Sequence, residues 1–373
     1  MSVVEIKMGE TQAKFDTIET AIEAIKRGEM VVVVDDDDRE NEGDLIMAAS
    51  KATSEAVAFM IRHTSGILCA PIFEDQATRL HLDPMVARND APMSTAFTVS
   101  IDYKQGLTTG ISAEERAATV VALTSSNVRA DDFVRPGHIF PLVARQGGVL
   151  TRSGHTEAGV DLSVLADLPP VSLLAELVND NGTVQRLPQL IEFAAEHKLK
   201  MITIADLIAY RQTREQLVER TNEFSISTRI GKARAFAYRT KFEDAEHLAL
   251  VFGDIRAEES VAVRIHREKL MDDVFGPQTD HEQSLLDASL DRIEKLGAGV
   301  LIYLRTGFVG VPHENLVGQT KEEERRSQWL EVGVGAQILR DLNISRIRLI
   351  AGREVEYVGV GGFGLTLEST EIL

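Results

Sequence analysis

The sequence predicts two α+β units in succession, the first a mixed β-sheet covered by helices. Three observations carry that expectation. The chain has 373 residues, more than one hydrophobic core ordinarily organises. Short apolar runs rich in β-branched residues, such as Val31-Val32-Val33-Val34, alternate with segments of helical spacing. A charged helical stretch over 206–219 reads as a connector between a first unit, 1–205, and a second, 220–373.

The composition, 44% hydrophobic and 26% charged, is that of a globular chain in water. No apolar run approaches the ~18 residues that span a bilayer. Met1-Ser2-Val3-Val4-Glu5 lacks the basic start and apolar core of a signal peptide, so cytoplasmic residence is expected. Lys+Arg of 40 against Asp+Glu of 58 gives a net charge of −18, which repels nucleic acid and anionic membrane. An anionic small-molecule substrate would then need a local cluster of arginines and backbone N–H groups. The one cysteine, Cys69, excludes an internal disulfide and a thiolate zinc cluster, and is expected as a core thiol.

In chain order, a helix is expected from Asp16 to Lys26, capped by Asp16 or Thr17 and ended by Gly28. The Val31 strand then runs straight into Asp35-Asp36-Asp37-Asp38-Arg39-Glu40-Asn41-Glu42-Gly43-Asp44. Seven carboxylates at the end of a buried strand read as a solvated acidic loop or as a divalent-cation site, since hard cations take oxygen ligands. Strands are expected at Leu45–Ala49, Ile67–Ala70, Phe97–Ile101 and Ile139–Ala144, and a helix at Thr53–His63. Thr108-Thr109-Gly110-Ile111 turns into a capping box, Ser112-Ala113-Glu114-Glu115, that opens a helix. Arg152-Ser153-Gly154-His155-Thr156 stands where a strand yields to a helix, a place where side chains and N–H groups cradle phosphate. There His155 is a candidate metal ligand or base. Glu176 is a carboxylate in an apolar strand, either paired with Arg186 across a hairpin or working. His138 follows Pro136-Gly137 and either anchors a turn or transfers protons. In the second unit, strands are expected near 247–252, 261–265 and 300–304, and helices at 285–296 and 336–342. Lys321–Gln328 reads as a solvated helical face, and Gly359–Gly364 imitates a dinucleotide fingerprint without the βαβ context it needs.

Asp36–Asp44, Thr108–Ser112, Arg135-Pro136-Gly137-His138 and Gly154-His155-Thr156-Glu157-Ala158 together resemble the signature of the 3,4-dihydroxy-2-butanone 4-phosphate synthase family. The resemblance implies conversion of ribulose 5-phosphate to a four-carbon riboflavin precursor with release of formate. It implies Mg²⁺ or Mn²⁺, two ions per site, with Glu40 and His155 as ligands. It implies Arg39, Asp44, Thr108 and Arg152 to Thr156 around the sugar phosphate, and His138 and Glu176 as proton-transfer groups. It also implies a homodimer. The chemistry accounts for those residue types: a ketose phosphate that loses a carbon must first enolise, which needs a base at the carbon-bound proton and positive charge at the enediolate oxygens.

The second unit resembles GTP cyclohydrolase II over Val263–Leu270, Asp273–Gly276 and Gly335–Leu339. Lys269, Asp280 and Glu282 stand where that family carries its three zinc thiolates, and Arg305–Gly310 departs from its arginine-rich stretch. An α/β-type cyclohydrolase-like domain without cyclohydrolase activity is therefore expected.

Overall fold

The computed structural model describes residues 15–37, 39–240, 245–275, 284–305, 332–352 and 363–373. Asp38, Asp280, Glu282, Thr306–Gly310, Lys321–Gln328 and Gly359–Gly362 lie outside the described residues. The chain divides into two compact units between Tyr210 and Arg211.

The first unit contains α1 (Ile18–Arg27), β1 (Val31–Val34), β2 (Gly43–Ala48), α2 (Ser54–His63), β3 (Cys69–Ile72), α3 (Glu74–Arg79) and β4 (Ile101–Tyr103). It continues with α4 (Ala113–Leu123), β5 (Phe133–Val143), α5 (His155–Leu165), β6 (Ser172–Glu176), α6 (Leu187–His197) and β7 (Lys200–Thr203), and α7 (Ile204–Arg214) runs across the division. Its seven strands form one mixed sheet in the order β4-β5-β3-β6-β2-β1-β7. All four valines of β1 are buried, because β1 lies between β2 and β7 and has helices on both faces. α1 starts at Thr17, whose hydroxyl accepts from the Thr20 N–H, and stops at Gly28, whose φ of +86° only glycine adopts at little cost. Val32, Val34, Leu45 and Met47 face a core shared with Val57, Met60, Val120, Leu190 and Phe193 of α2, α4 and α6. By strand alternation Val31, Val33, Asp44 and Ile46 face the opposite side, where α1 and α5 pack.

The second unit carries β8 (Val218–Thr228), β9 (Gly231–Thr240), β10 (Glu246–Phe252), β11 (Val261–Arg267), α8 (Leu270–Phe275), α9 (Leu285–Leu296), β12 (Gly299–Leu304), β13 (Arg346–Ala351) and β14 (Thr366–Ile372), with a helical segment over 332–341. Its sheet runs β14-β13-β11-β12-β10-β9-β8, parallel from β14 to β12 and antiparallel beyond. Among the described residues no helix is long and apolar enough to cross a membrane.

Several elements depart from expectation. The charged stretch after Ala205 is helical only to Arg214; from Val218 it is strand, because pairing with β9 along its whole length overrides its polar composition. Phe97 bridges only Leu142 and Thr98 only Pro84, so the two pair with different segments, and the ladder begins at Ile101. The strand expected at Ile139 begins at Phe133, which is buried and pairs with Tyr103.

Candidate active site

The site is built at one end of the first sheet. β1 delivers Asp35 into the interior, 6% exposed. One Asp35 oxygen accepts the Glu42 N–H at 2.8 Å; the other accepts the Glu40 N–H at 3.0 Å and pairs with Arg39 Nη1 at 3.1 Å. The acidic loop therefore folds around one buried carboxylate, which the charge run alone could not single out. From outside, Arg186 Nη1 donates to the carbonyls of Glu40 at 2.7 Å and Asn41 at 2.5 Å. Arg186 thus clamps the loop rather than pairing with Glu176. The loop is held from two sides, and Glu40 projects from it with Arg39 against its carboxylate.

Opposite Glu40 stands His155, the first residue of α5 and 7% exposed. Its Nε2 lies 3.1 Å from the Val33 carbonyl, which fixes the ring and its tautomer. Its Nδ1 then points at Glu40 Oε2, 3.7 Å away, and at Asp44 Oδ1, 3.9 Å away. Asp35, Glu40 and His155 offer ligand atoms all within 4.8 Å of one another. Because both Asp35 oxygens are engaged by the loop, Glu40 and His155 are the open members. Asp44 Oδ1 is buried and has no hydrogen-bond partner, an unusual state for a carboxylate oxygen that marks room for a cation or its water.

The charges are unequal. Burial opposes ionisation of Glu40, but His155 and Arg39 outweigh it and hold its carboxyl at about 2. Burial likewise opposes charge on His155, yet Asp44 and Glu40 push its imidazole up to about 9. Burial dominates at Asp44 and raises it to about 7, with His155 pulling the other way and Glu176 and Glu40 adding to the rise. With no metal bound, His155 is a cation among carboxylates.

A second cluster surrounds Gly154. Arg152 Nη1 pairs with buried Glu157 Oε2 at 2.8 Å and its Nη2 donates to the Met93 carbonyl at 3.1 Å. A Cβ at Gly154 would overlap Arg152 Nη1, stand 2.9 Å from Glu157 Oε2 and lie 3.1 Å from Arg39 Nη2. Two guanidiniums thus converge beside the first turn of α5, where the N–H groups of His155 and Thr156 lack intrahelical acceptors, a combination suited to phosphate. Ser153 is half-buried on the approach to it. Gly154→Ala should raise KM for a sugar phosphate by about 10–100-fold with little change in unfolding temperature, as steady-state kinetics would record. An unchanged KM would remove Gly154 and its arginines from the binding site.

The remaining residues lie along the same sheet end. Asp44 of β2 is paired directly with Glu176 of β6, so both carboxylates stand on the α5 side. Glu176 Oε2 accepts from Ser65 Oγ at 2.7 Å. Cys69 registers with Leu174 on one side and Phe140 on the other, which puts His138, two residues before Phe140, level with Glu176 two strands away. That separation is about 10 Å between backbones. Cys69 is buried beneath this row, and burial pushes its thiol well up. Thr108 is engaged by Glu115, whose carboxylate accepts both its N–H and its hydroxyl, and no contact with another expected site residue is seen. Ser65 and Asp102 lacked any sequence signal, being joined to the site only by tertiary pairing, and Arg186 was read as a partner of Glu176 rather than of the loop carbonyls.

Residues 19–210 match the 3,4-dihydroxy-2-butanone 4-phosphate synthase family. The chain belongs to that family. Residues 219–371 of this synthase-family chain match the GTP cyclohydrolase II family. The bifunctional riboflavin biosynthesis protein RIBA 1 of Arabidopsis thaliana, a chloroplastic protein, is 47% identical over 369 residues, covering 95% of this chain and 68% of the relative. The monofunctional RIBA 2 of the same plant is 46% identical over 363 residues, covering 95% and 76%. Among solved structures, RibBX, a two-domain 3,4-dihydroxy-2-butanone 4-phosphate synthase from A. baumannii, aligns with a TM-score of 0.80 at 36% identity, covering 96% of this chain and 99% of that one. A synthase solved with two magnesium ions aligns with a TM-score of 0.52 at 44% identity, covering 54% and 98%. The first unit is thus a synthase domain acting in riboflavin biosynthesis. It converts ribulose 5-phosphate to 3,4-dihydroxy-2-butanone 4-phosphate and formate.

Proposed function

We propose that the reaction is carried out in the pocket between the acidic loop and α5, and that the second unit contributes no cyclohydrolase chemistry. The observation that carries the first part is His155 Nδ1 aimed at Glu40 and at the unpartnered Asp44 oxygen. Glu40 and His155 would hold Mg²⁺ or Mn²⁺, two ions as in the magnesium-bound relative, with Asp44 lining the metal pocket and reaching the substrate. Bound there, the cation neutralises charge that develops on the substrate's oxygens. Arg39, Arg152 and the α5 N-terminus through Thr156 receive the phosphate, with Ser153, Gly154 and Thr108 nearby. Glu176 and His138, on the same face and end of the sheet, flank the carbon chain and move its protons. As in the family, two copies of the chain would associate as a dimer.

Since the metal replaces a proton on His155, Mg²⁺ affinity should rise with pH from about 7 to about 9, where the imidazole loses its charge. The Asp44 carboxyl, raised to about 7, acts in the same direction. Calorimetric titration at pH 7.5 in buffers of different ionisation enthalpy should register proton release on binding. Binding without proton release would contradict His155 as a ligand.

The second part rests on chemistry present in the chain. A family match establishes descent; zinc bound by three thiolates requires three cysteines, and the only cysteine, Cys69, is in the first unit. Lys269, at one ligand position, carries an ammonium that cannot serve as a thiolate. The purified chain should contain no stoichiometric zinc and release no formate from GTP. Either would make it bifunctional, like the Arabidopsis RIBA 1 relative is named to be.

A further inference from the structure

Two sequence motifs close on a residue that belongs to neither. Asp102, in β4 and 3% exposed, accepts the His138 backbone N–H through Oδ1 at 2.8 Å, and its Oδ2 lies 2.7 Å from His138 Nδ1. A Cβ on Gly110, from the Thr108–Ser112 turn, would overlap Asp102 Oδ2 and stand 2.8 Å from His138 Nδ1. One on Gly137 would overlap the Ile101 and Asp102 backbone. Both glycines are therefore needed for the approach that encloses this bond. The His138 side chain keeps 38% exposure, so with Nδ1 covered by Asp102 the Nε2 edge is the open one. Behind the pair, buried Arg116 of α4 donates to the Gly66 carbonyl at 3.4 Å and sets a positive charge against Asp102. Gly66 follows Ser65, which holds Glu176, so the supports of both proton-transfer groups adjoin.

We propose that Asp102 is a positioning residue for the synthase reaction, fixing the ring proton of neutral His138 on Nδ1 and presenting Nε2 to the substrate as the base, with Arg116 as the counter-charge behind it. An aspartate that only anchored the Gly137–His138 backbone would need Oδ1 alone; the second oxygen on the ring is what proton transfer requires. When Nε2 takes a proton from a substrate carbon, the C–H electron pair passes into the enediolate. The imidazolium so formed stays against Asp102 until Nε2 returns the proton to a substrate carbon. The inference rests on His138 being a proton-transfer group.

Asp102→Asn tests it. The amide oxygen still accepts the backbone N–H, but its NH₂ donates to Nδ1 and drives the ring proton to Nε2. Turnover of ribulose 5-phosphate should fall about 10²–10⁴-fold in kcat, with KM changed by less than about threefold. The double variant Asp102→Asn/His138→Ala should be no slower than His138→Ala, because Asp102 acts only through the ring. Multiplicative losses, or a kcat within about threefold of wild type, would overturn the proposal. In the wild-type chain, ¹⁵N spectra of the imidazoles should place the His138 proton on Nδ1; a proton on Nε2 overturns it whether or not the variant folds. Full activity in His138→Ala would refute the role of His138 and this inference with it. A slow His138→Ala beside a fully active Asp102→Asn refutes the inference alone.

Discussion

Glu40→Ala and His155→Ala should each reduce formate release from ribulose 5-phosphate by at least about 10³-fold in a folded protein. Glu40→Ala removes the carboxylate nearest Nδ1 and leaves His155 with Asp44 and the loop-engaged Asp35. His155→Ala removes the nitrogen itself and its anchor on the Val33 carbonyl. Neither side chain carries the hydrophobic core, which faces α2, α4 and α6 on the other side of the sheet. Thermal unfolding should therefore move by only a few degrees, and Mg²⁺ binding should vanish in calorimetry. More than about a tenth of wild-type turnover in either variant would remove that residue from the metal site.

Asp35→Ala should be more damaging to the protein than either. Its carboxylate satisfies the N–H groups of Glu40 and Glu42 and neutralises an Arg39 guanidinium that is 3% exposed. Removing it leaves two loop N–H groups without their acceptor and takes from Arg39 one of the carboxylates that pair with it, Glu40 being another, a combined loss of about 2–4 kcal/mol. For a unit of this length that corresponds to about 2–4 °C of melting temperature per kcal/mol. Activity should fall with stability, because the loop that presents Glu40 loses its inner support. Asp35→Asn should keep one oxygen acceptor and lie between wild type and Asp35→Ala in both measures. A melting temperature within about 2 °C of wild type for Asp35→Ala would mean the loop folds without its buried carboxylate.

Much of this was legible in the sequence, for reasons that differ between residues. The valine run and the carboxylates after it announced a buried strand ending at a polar site, because hydrophobic spacing and charge density are local properties. Thr17, Ser112 and Gly28 announced helix boundaries for the same reason: capping is settled within four residues. Asp35 could not be singled out within the carboxylate run, because its burial depends on N–H groups that turn toward it only when the loop closes. Asp102 carried no signal, since its partner is 36 residues away on a neighbouring strand. The polar, exposed β8 and β14 were missed because their pairing, not their composition, makes them strands. In the second unit the missing cysteines spoke more clearly than the fold, because a zinc site needs particular atoms while a sheet needs only a pattern.

The metal site is tested most directly by formate release from ribulose 5-phosphate by metal-stripped protein titrated with Mg²⁺, run on the wild-type chain and on His155→Ala side by side. Neither stripped protein should turn over, the wild type should recover as Mg²⁺ is added, and His155→Ala should not recover at any Mg²⁺ concentration that saturates the wild type. Full turnover after chelation, or recovery of His155→Ala at the wild-type Mg²⁺ concentration, would contradict a metal site built on the acidic loop and the first residue of α5.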